Sequence, residues 1–177
     1  MRITLIGFMG CGKTTVGTVL ADRMGYEFLD LDKVIETTAN NSISGIFKTH
    51  GEEEFRKLEQ EALKVALSKN NCVIATGGGT PCFFDNMEMI NKDSVSVYLK
   101  MSVDSLFERL ETEQGQRPLI SNFNDKELKK FISELLLKRE PYYNKAHYKV
   151  KAKNIQIGAL ADFIRQECLS STDAHIK

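Results

Sequence analysis

The sequence predicts an α/β fold with three layers, in which helices flank both faces of a five-stranded parallel sheet. Three observations support this prediction. Short apolar runs alternate with helical patterns, a glycine-rich turn joins the first run to the first helix, and no repeat, low-complexity tract or Pro/Gly linker interrupts them. Strands separated by helical crossovers pair in parallel. A chain of 177 residues is the size of one domain, so we expect 1–177 to form a single domain.

Five short apolar runs are the predicted strands, and segments of helical periodicity between them are the predicted helices. The strands are 2–6, 26–31, 72–75, 94–100 and 148–152. The helices are 13–24, two short pieces within 32–48 that separate near Asn40 and Asn41, 52–69, 84–90, 103–110, 125–140 and 159–168. We expect Pro141 to end or bend the helix before it, and the residues after Leu169 to fray.

Residues 111–124 interrupt this alternation. The segment is polar, contains Gly115 and Pro118 and has little to bury, which is typical of a surface loop that closes over a ligand as a lid. Arg117 lies within it. An arginine on a closing loop can neutralise charge on a phosphoryl group in transfer, although a solvent-facing arginine is the ordinary interpretation of one loop residue.

Composition excludes several classes of protein. The 24 Lys and Arg balance the 24 Asp and Glu, which argues against binding to nucleic acid or an anionic membrane through bulk charge. No apolar stretch approaches the roughly 18 to 20 residues of a membrane span, and the N-terminus lacks the features of a secretory signal. The 4 cysteines form no CxxC pair, so we expect free thiols in a cytoplasmic protein.

The turn after the first strand carries the strongest motif. Residues 7–14 read GFMGCGKT and fit G-x-x-x-x-G-K-[ST] between a strand and a helix. Gly7, Gly10 and Gly12 allow the backbone to curl so that several N–H groups face one anion. Lys13 can reach the β- and γ-phosphates, and the Thr14 hydroxyl can bind Mg²⁺. The motif predicts a nucleoside triphosphate site but leaves the reaction open.

Two carboxylates follow the second strand. In an extended chain Asp30 and Asp32 point the same way while Leu29 and Leu31 face the core. Asp30 could then hold Mg²⁺ through its water shell, and Asp32 could accept a hydrogen bond from a substrate hydroxyl. The alternative is that either residue caps the following helix.

Two arginines lie on predicted helices. For Arg56 an exposed ion pair with Glu52 or Glu59 is the simpler interpretation. Arg139 falls on the apolar stripe of its helix, where a charge needs a partner or a polar cavity. Gly77, Gly78 and Gly79 end a buried strand, and three glycines permit close approach of a ligand to the backbone, whereas a simple tight turn is the alternative.

Taken together, these segments resemble shikimate kinase, a family among the nucleoside-monophosphate-kinase-like P-loop kinases. The resemblance rests on GFMGCGKTT at 7–15, FLDLD at 28–32, GEEEFR at 51–56, TGGG at 76–79, RPL at 117–119 and KREPY at 138–142. These blocks follow the order of the family. The phosphate loop is common to many proteins, whereas the later blocks in this order are specific to the family.

The resemblance implies a P-loop kinase fold and MgATP-dependent phosphorylation of the shikimate 3-hydroxyl, on the route to chorismate and the aromatic amino acids. It also implies one Mg²⁺ per subunit. Separately, we expect a monomer and, from the charge balance and the apolar pattern, no nucleic-acid or membrane partner. The arginines would grip the substrate carboxylate, and 32–60 would form a substrate-binding helical region. The assigned residues are Gly10, Cys11, Gly12, Lys13, Thr14, Thr15 and Arg117 for ATP, Thr14 and Asp30 for Mg²⁺, Asp32, Arg56, Gly77, Gly78, Gly79 and Arg139 for shikimate, and Lys13, Asp32 and Arg117 for catalysis.

Two positions depart from the family pattern. Cys11 stands where serine is usual, at a position whose backbone N–H matters more than its side chain. An arginine that lines the adenine site in some members does not align around 151–154, where Lys153 and Asn154 are the candidate substitutes.

Two other functions stay open at this point. A gluconate kinase or another small-metabolite kinase would share the fold and the phosphate loop, but it would not need Arg56, Gly77–Gly79 and Arg139 together. A non-enzymatic nucleotide-binding module is the second alternative. The N/T-K-x-D motif of a GTPase is absent from the sequence, and no run of Lys and Arg exceeds two residues.

Overall fold

The computed structural model describes residues 1–116 and 119–173, and its centre is a five-stranded sheet. The strands are β1 (Arg2–Ile6), β2 (Glu27–Asp30), β3 (Cys72–Ala75), β4 (Val95–Lys100) and β5 (Tyr148–Lys151). They lie in the order β2-β3-β1-β4-β5, and every neighbouring pair is parallel. The predicted parallel α/β sheet is confirmed.

Seven α-helices flank the sheet in the described ranges. They are α1 (Lys13–Met24), α2 (Leu31–Ala39), α3 (Ile43–Ser68), α4 (Asn86–Asp93), α5 (Val103–Leu110), α6 (Asp125–Tyr143) and α7 (Ile157–Asp173). Single 3₁₀ segments occupy Thr80–Cys82 and Glu111–Gln116. None of the helices in these ranges is both long and apolar enough to cross a membrane.

The break expected near Asn40 and Asn41 is confirmed, because Asn40 ends α2 in the left-handed conformation. The next boundary is different. The second short piece continues into the following helix, and Gly51, with φ 80° and ψ 177°, forms a kink between them. A residue with a side chain rarely adopts this φ, so the glycine permits a change of direction within α3.

The structure differs in part from the expectations for Pro141 and for the residues after Leu169, of which 174–177 lie outside the described residues. Helix α6 continues past Pro141 to Tyr143. The proline lies in the last turn, where it removes only one intrahelical bond, and the complete burial of Tyr143 holds the end of the helix in place. Helix α7 packs against α1 and extends to Asp173, beyond the predicted start of fraying.

The carboxyl ends of the three neighbouring strands β2, β3 and β1 bring the motifs together. Gly7 follows β1, Leu31 begins α2 directly after β2, and Thr76 follows β3. Thr76 donates its backbone N–H and its hydroxyl to the carbonyl oxygen of Leu5, at 3.2 Å and 3.1 Å. In parallel sheets, ligands bind in the crevice outside this edge, so the fold places the candidate residues around one cleft.

Candidate functional site

The loop after β1 has the conformation that a phosphate-binding loop needs. Gly7, Gly10 and Gly12 have φ angles of 146°, 77° and 94°, which residues with side chains rarely adopt. Gly12 is the N-cap of α1, which begins at Lys13. The free N–H groups and the positive end of the helix dipole therefore face the space above the loop.

Lys13 lies folded over this loop. It is 9% exposed, and its Nζ donates to the carbonyl oxygens of Gly7 and Phe8 at 2.8 Å and 3.0 Å. The buried thiol of Cys11 lies 3.8 Å from the same nitrogen. The ammonium group is thus satisfied by the loop and held on the wall of the cleft.

Thr14 and Asp30 form a direct contact between α1 and the end of β2. The Thr14 hydroxyl donates to Oδ2 of Asp30 at 2.9 Å. Asp30 occupies the N-cap position of α2, but its side chain makes no capping hydrogen bond. Hydroxyl and carboxylate oxygens are ligands that Mg²⁺ accepts, and this ion usually takes only one or two protein ligands beside water and phosphate. The pair therefore fits a magnesium site.

The extended-chain argument for Asp32 was wrong in its geometry. Helix α2 begins at Leu31, so Asp32 lies in the first helical turn instead of continuing a strand. Both carboxylates nevertheless line the same cleft, because the helix starts at the edge of the sheet. Leu29 and Leu31 are buried, as expected.

The surroundings of Asp32 raise the pKa of its carboxyl group above the usual value. Burial is the main cause that raises the pKa of Asp32 from 3.8 to about 6, and the nearby charge of Asp30 raises it further. Lys13 acts in the opposite direction, while Glu59 and Glu36 add smaller upward contributions. A carboxyl group with this pKa is largely ionised at neutral pH and can accept a hydrogen bond from a hydroxyl.

Arg56 is a buried member of an ion-pair network. It is 8% exposed, its Nε and Nη2 donate to Oε1 of Glu52 at 3.2 Å and 2.9 Å, and its Nη1 donates to Oε2 of Glu59 at 2.8 Å. The guanidinium carbon lies 3.9 Å from the ring centroid of Phe83. The pairing considered as an alternative exists, but only Glu52 is exposed, whereas Arg56 and Glu59 are buried.

Glu59 is a site residue that the sequence pattern did not single out. Its side chain is 1% exposed. One carboxylate oxygen accepts from Arg56, and the other accepts from the Thr80 hydroxyl at 2.6 Å. Its position three residues after Arg56 showed only that pairing was possible, because the burial depends on the fold.

Arg139 differs from Arg56 in its partners. It is half-buried on α6, and its guanidinium carbon lies 5.8 Å from the ring centroid of Phe8. It forms no ion pair with any residue in the described ranges. No described acidic side chain therefore neutralises its charge, which remains available to an anion.

The three consecutive glycines provide space for charged side chains. A Cβ on Gly77 would lie 2.8 Å from Oε1 of Glu59 and 3.1 Å from Oδ1 of Asp32, and one on Gly78 would lie 3.2 Å from Nη1 of Arg139. A Cβ on Gly79 would lie 2.8 Å from Nη1 of Arg56. None of these glycines has a positive φ. They permit close approach by the protein's own charged groups, and the close approach of a ligand to this backbone stays a prediction.

One cleft of about 700 Å³ runs along the phosphate-binding loop and the ends of β2 and β3. Its lining includes the loop residues Gly10 to Thr15, both carboxylates and Gly78. At the far end it includes Arg109 and Asn154, whereas Lys153 pairs with Glu108 at 3.5 Å instead. Arg109 donates to the carbonyl oxygen of Gly10 at 3.2 Å, a contact that no sequence signal indicated. Arg117, the predicted lid arginine, lies outside the described residues.

Comparison with known proteins gives a consistent result. The family model described as "Shikimate kinase" matches residues 9–169. The shikimate kinase of Phocaeicola vulgatus is 44% identical over 170 residues, which cover 94% of this chain and 97% of that protein. The crystal structure of shikimate kinase from Bacteroides thetaiotaomicron has a TM-score of 0.88 at 39% identity and covers 96% of this chain and 98% of that one. Shikimate kinase from Acinetobacter baumannii in complex with shikimate has a TM-score of 0.84 at 35% identity, with 99% and 95% covered.

Proposed function

This chain belongs to the shikimate kinase family, and from that premise we propose that it transfers the γ-phosphate of ATP to the 3-hydroxyl of shikimate. One observation carries the proposal. A single cleft joins a phosphate-binding loop to the carboxylate of Asp32 and to Gly78, and the guanidinium groups of Arg139 and Arg56 lie next to Gly78 and Gly79 beside it. A small anionic polyol needs this combination, since guanidinium binds carboxylate and a carboxylate accepts hydrogen bonds from hydroxyls.

We assign the donor end of the cleft to ATP. The backbone from Gly10 to Thr15 binds the phosphates, and Lys13 leaves its loop carbonyls to neutralise charge on the transferring group. Thr14 and Asp30 hold one Mg²⁺ per subunit, and the ion supplies charge neutralisation at the β- and γ-phosphates when it is bound.

We assign the acceptor end to shikimate. Arg56 and Arg139 bind its carboxylate, the backbone of Gly77 to Gly79 lies against its ring, and Asp32 accepts a hydrogen bond from the reacting hydroxyl. Phosphoryl transfer depends mainly on positioning and on charge neutralisation. Asp32 therefore acts by orienting the hydroxyl and taking its proton as the transfer proceeds.

Three further features belong to this proposal. Residues 111–124 act as a lid that brings Arg117 to the transferring phosphoryl group and excludes water. The region 32–60 contributes the acceptor-binding helices within one domain that spans 1–177. The enzyme works as a monomer in the cytoplasm, without a nucleic-acid or membrane partner.

ADP release from MgATP tests the proposal directly. Shikimate, gluconate and nucleoside monophosphates are offered in parallel, and we expect only shikimate to raise ADP release above the buffer rate. A Lys13→Ala variant purified in the same way controls for a contaminating kinase. Release with gluconate and none with shikimate would favour another small-metabolite kinase. No release with any acceptor would favour a nucleotide-binding module without enzymatic activity.

A further inference from the structure

We propose that Tyr143 is a positioning residue for the acceptor end of the cleft, because its hydroxyl holds the carbonyl of the middle glycine of the Gly77–Gly79 segment, next to Arg139 on the same helix as Tyr143. The proposal rests on the proposed function, in which Gly78 and Arg139 bind the acceptor. Tyr143 itself lies behind these two residues and is not assigned to substrate contact.

The first observation is the hydrogen bond that Tyr143 makes. The residue is completely buried, and its hydroxyl donates to the carbonyl oxygen of Gly78 at 2.5 Å across a separation of 65 residues. The neighbouring carbonyls are satisfied locally, because Gly77 accepts from the backbone N–H of Thr80 and Gly79 from that of Cys82. The orientation of the middle peptide thus depends on a bond from another part of the chain.

Three consecutive glycines make this bond important. Glycine has no side chain to limit its backbone angles, so such a segment has more accessible conformations than any other tripeptide. The Tyr143 hydroxyl selects one of them for Gly78. An acceptor that binds against this segment then finds the backbone already ordered. The loss of backbone entropy occurs on folding and does not weaken binding.

The second observation is the position of Arg139. It lies one helical turn before Tyr143 on α6, and its Nη1 would be 3.2 Å from a Cβ on Gly78. Burial raises the pKa of Tyr143, while the charge of Arg139 acts in the opposite direction. The phenol oxygen therefore lies near the positive charge of Arg139 and donates to the carbonyl oxygen of Gly78.

The third observation supplies a control. The ring of Tyr143 packs on that of Tyr98, with centroids 5.1 Å apart, and both residues are almost completely buried. No hydrogen bond is found for the Tyr98 hydroxyl within the described part of the chain. A change from tyrosine to phenylalanine at either position keeps the ring packing and removes one hydroxyl group, but only the change at 143 releases Gly78.

The test compares steady-state kinetics of wild type, Tyr143→Phe and Tyr98→Phe. We expect the KM for shikimate to rise about tenfold in Tyr143→Phe, the effect of one lost hydrogen bond, with the KM for ATP unchanged. Tyr98→Phe should keep both constants. In a double variant, Tyr143→Phe with Arg139→Lys, the two losses in shikimate affinity should be less than additive, because both changes disturb one unit.

The outcomes separate this proposal from the proposed function. If wild type does not phosphorylate shikimate, the function is wrong. If wild type is active and Tyr143→Phe has an unchanged KM for shikimate, or if both KM values rise together, the positioning role is wrong. A Tyr143→Phe protein that is unfolded at the assay temperature, while Tyr98→Phe is folded, would assign the hydroxyl to general stability and would also overturn the role.

Discussion

The two ends of the cleft use the same residue, glycine, for different physical reasons. At the phosphate loop, Gly7, Gly10 and Gly12 are needed because the backbone adopts positive φ angles. At the acceptor end, Gly79 has an ordinary φ of −93° and is needed because a Cβ would meet the Arg56 guanidinium. The first requirement arises within a short stretch of chain. The second arises only when distant segments pack together.

The two acceptor-end arginines show a similar contrast. Arg56 is held by two carboxylates and an aromatic ring, so it is in position before any ligand arrives. Arg139 has no ion pair in the described ranges and sits beside Gly78. Under the proposed function, Arg56 therefore contributes to the stability of the fold as well as to binding, while Arg139 is available mainly for binding.

Replacing each arginine by alanine gives the largest expected effects and separates these two roles. Arg56→Ala leaves Glu59 buried without its charge partner and should lower the free energy of unfolding by about 3 to 5 kcal/mol. Arg139→Ala should weaken shikimate binding by about 2 to 5 kcal/mol and leave ATP binding intact. Titration calorimetry and urea unfolding measure the two quantities.

A double variant checks the cause of the stability loss. Adding Glu59→Gln to Arg56→Ala removes the unpaired charge and should restore part of the stability without restoring shikimate affinity. Unchanged shikimate affinity in Arg139→Ala would remove Arg139 from the site, and equal stability losses in the two single variants would contradict the contrast between the arginines.

Loss of the cation at the donor end should lower kcat and not shikimate affinity, in contrast to loss of Arg139. Lys13→Ala removes charge neutralisation at the transferring group and should lower kcat by about 10²- to 10³-fold, with little change in shikimate affinity in the absence of nucleotide. Lys64→Ala, which removes an exposed lysine paired with Glu61, is the matched control. A comparable loss in both variants, or a large loss of shikimate affinity in Lys13→Ala, would show that the two ends are not separable.

Adding one methyl group at the acceptor end should have a moderate effect. In Gly79→Ala the new Cβ would stand 2.8 Å from Nη1 and 3.0 Å from Nη2 of Arg56, so the guanidinium must move. We expect shikimate affinity to fall roughly five- to tenfold, the effect of one weakened hydrogen bond, with unchanged affinity for ATP. Gly25→Ala is the control, because Gly25 has φ 68° and open space around its Cβ. It should lower stability alone, and a fall in shikimate affinity there would contradict the steric explanation.

The pH dependence of stability should show the smallest effect. The pKa of Asp32 rises from 3.8 to about 6 in the folded protein, chiefly through burial. A carboxyl group that binds its proton more tightly when folded stabilises the protein at pH values below about 4, and this contribution is lost as the pH rises through about 6. Thermal unfolding of wild type and Asp32→Asn should therefore diverge over this interval, with wild type losing stability relative to the variant. Parallel curves from pH 4 to 7 would contradict the raised pKa.

Most of the element boundaries could be predicted from local patterns. Helix α1 and strand β1 lie where the periodicity placed them, since the glycines and apolar spacing that define them are contiguous. The errors fall where distant packing decides. Helix α6 passes Pro141 because Tyr143 is buried against Tyr98, and Asp32 lies on a helix because α2 starts directly at the edge of the sheet.

By itself, the sequence determined the phosphate loop, since its glycine angles, the helix start and the placement of Lys13 depend on neighbours along the chain. It also determined which charged residue types would serve an anionic acceptor. Only the tertiary structure decided how they are held. Glu59 is buried between Arg56 and Thr80, and Tyr143 reaches Gly78 across 65 residues. Such contacts depend on which surfaces meet when helices pack on the sheet, and no local spacing encodes that.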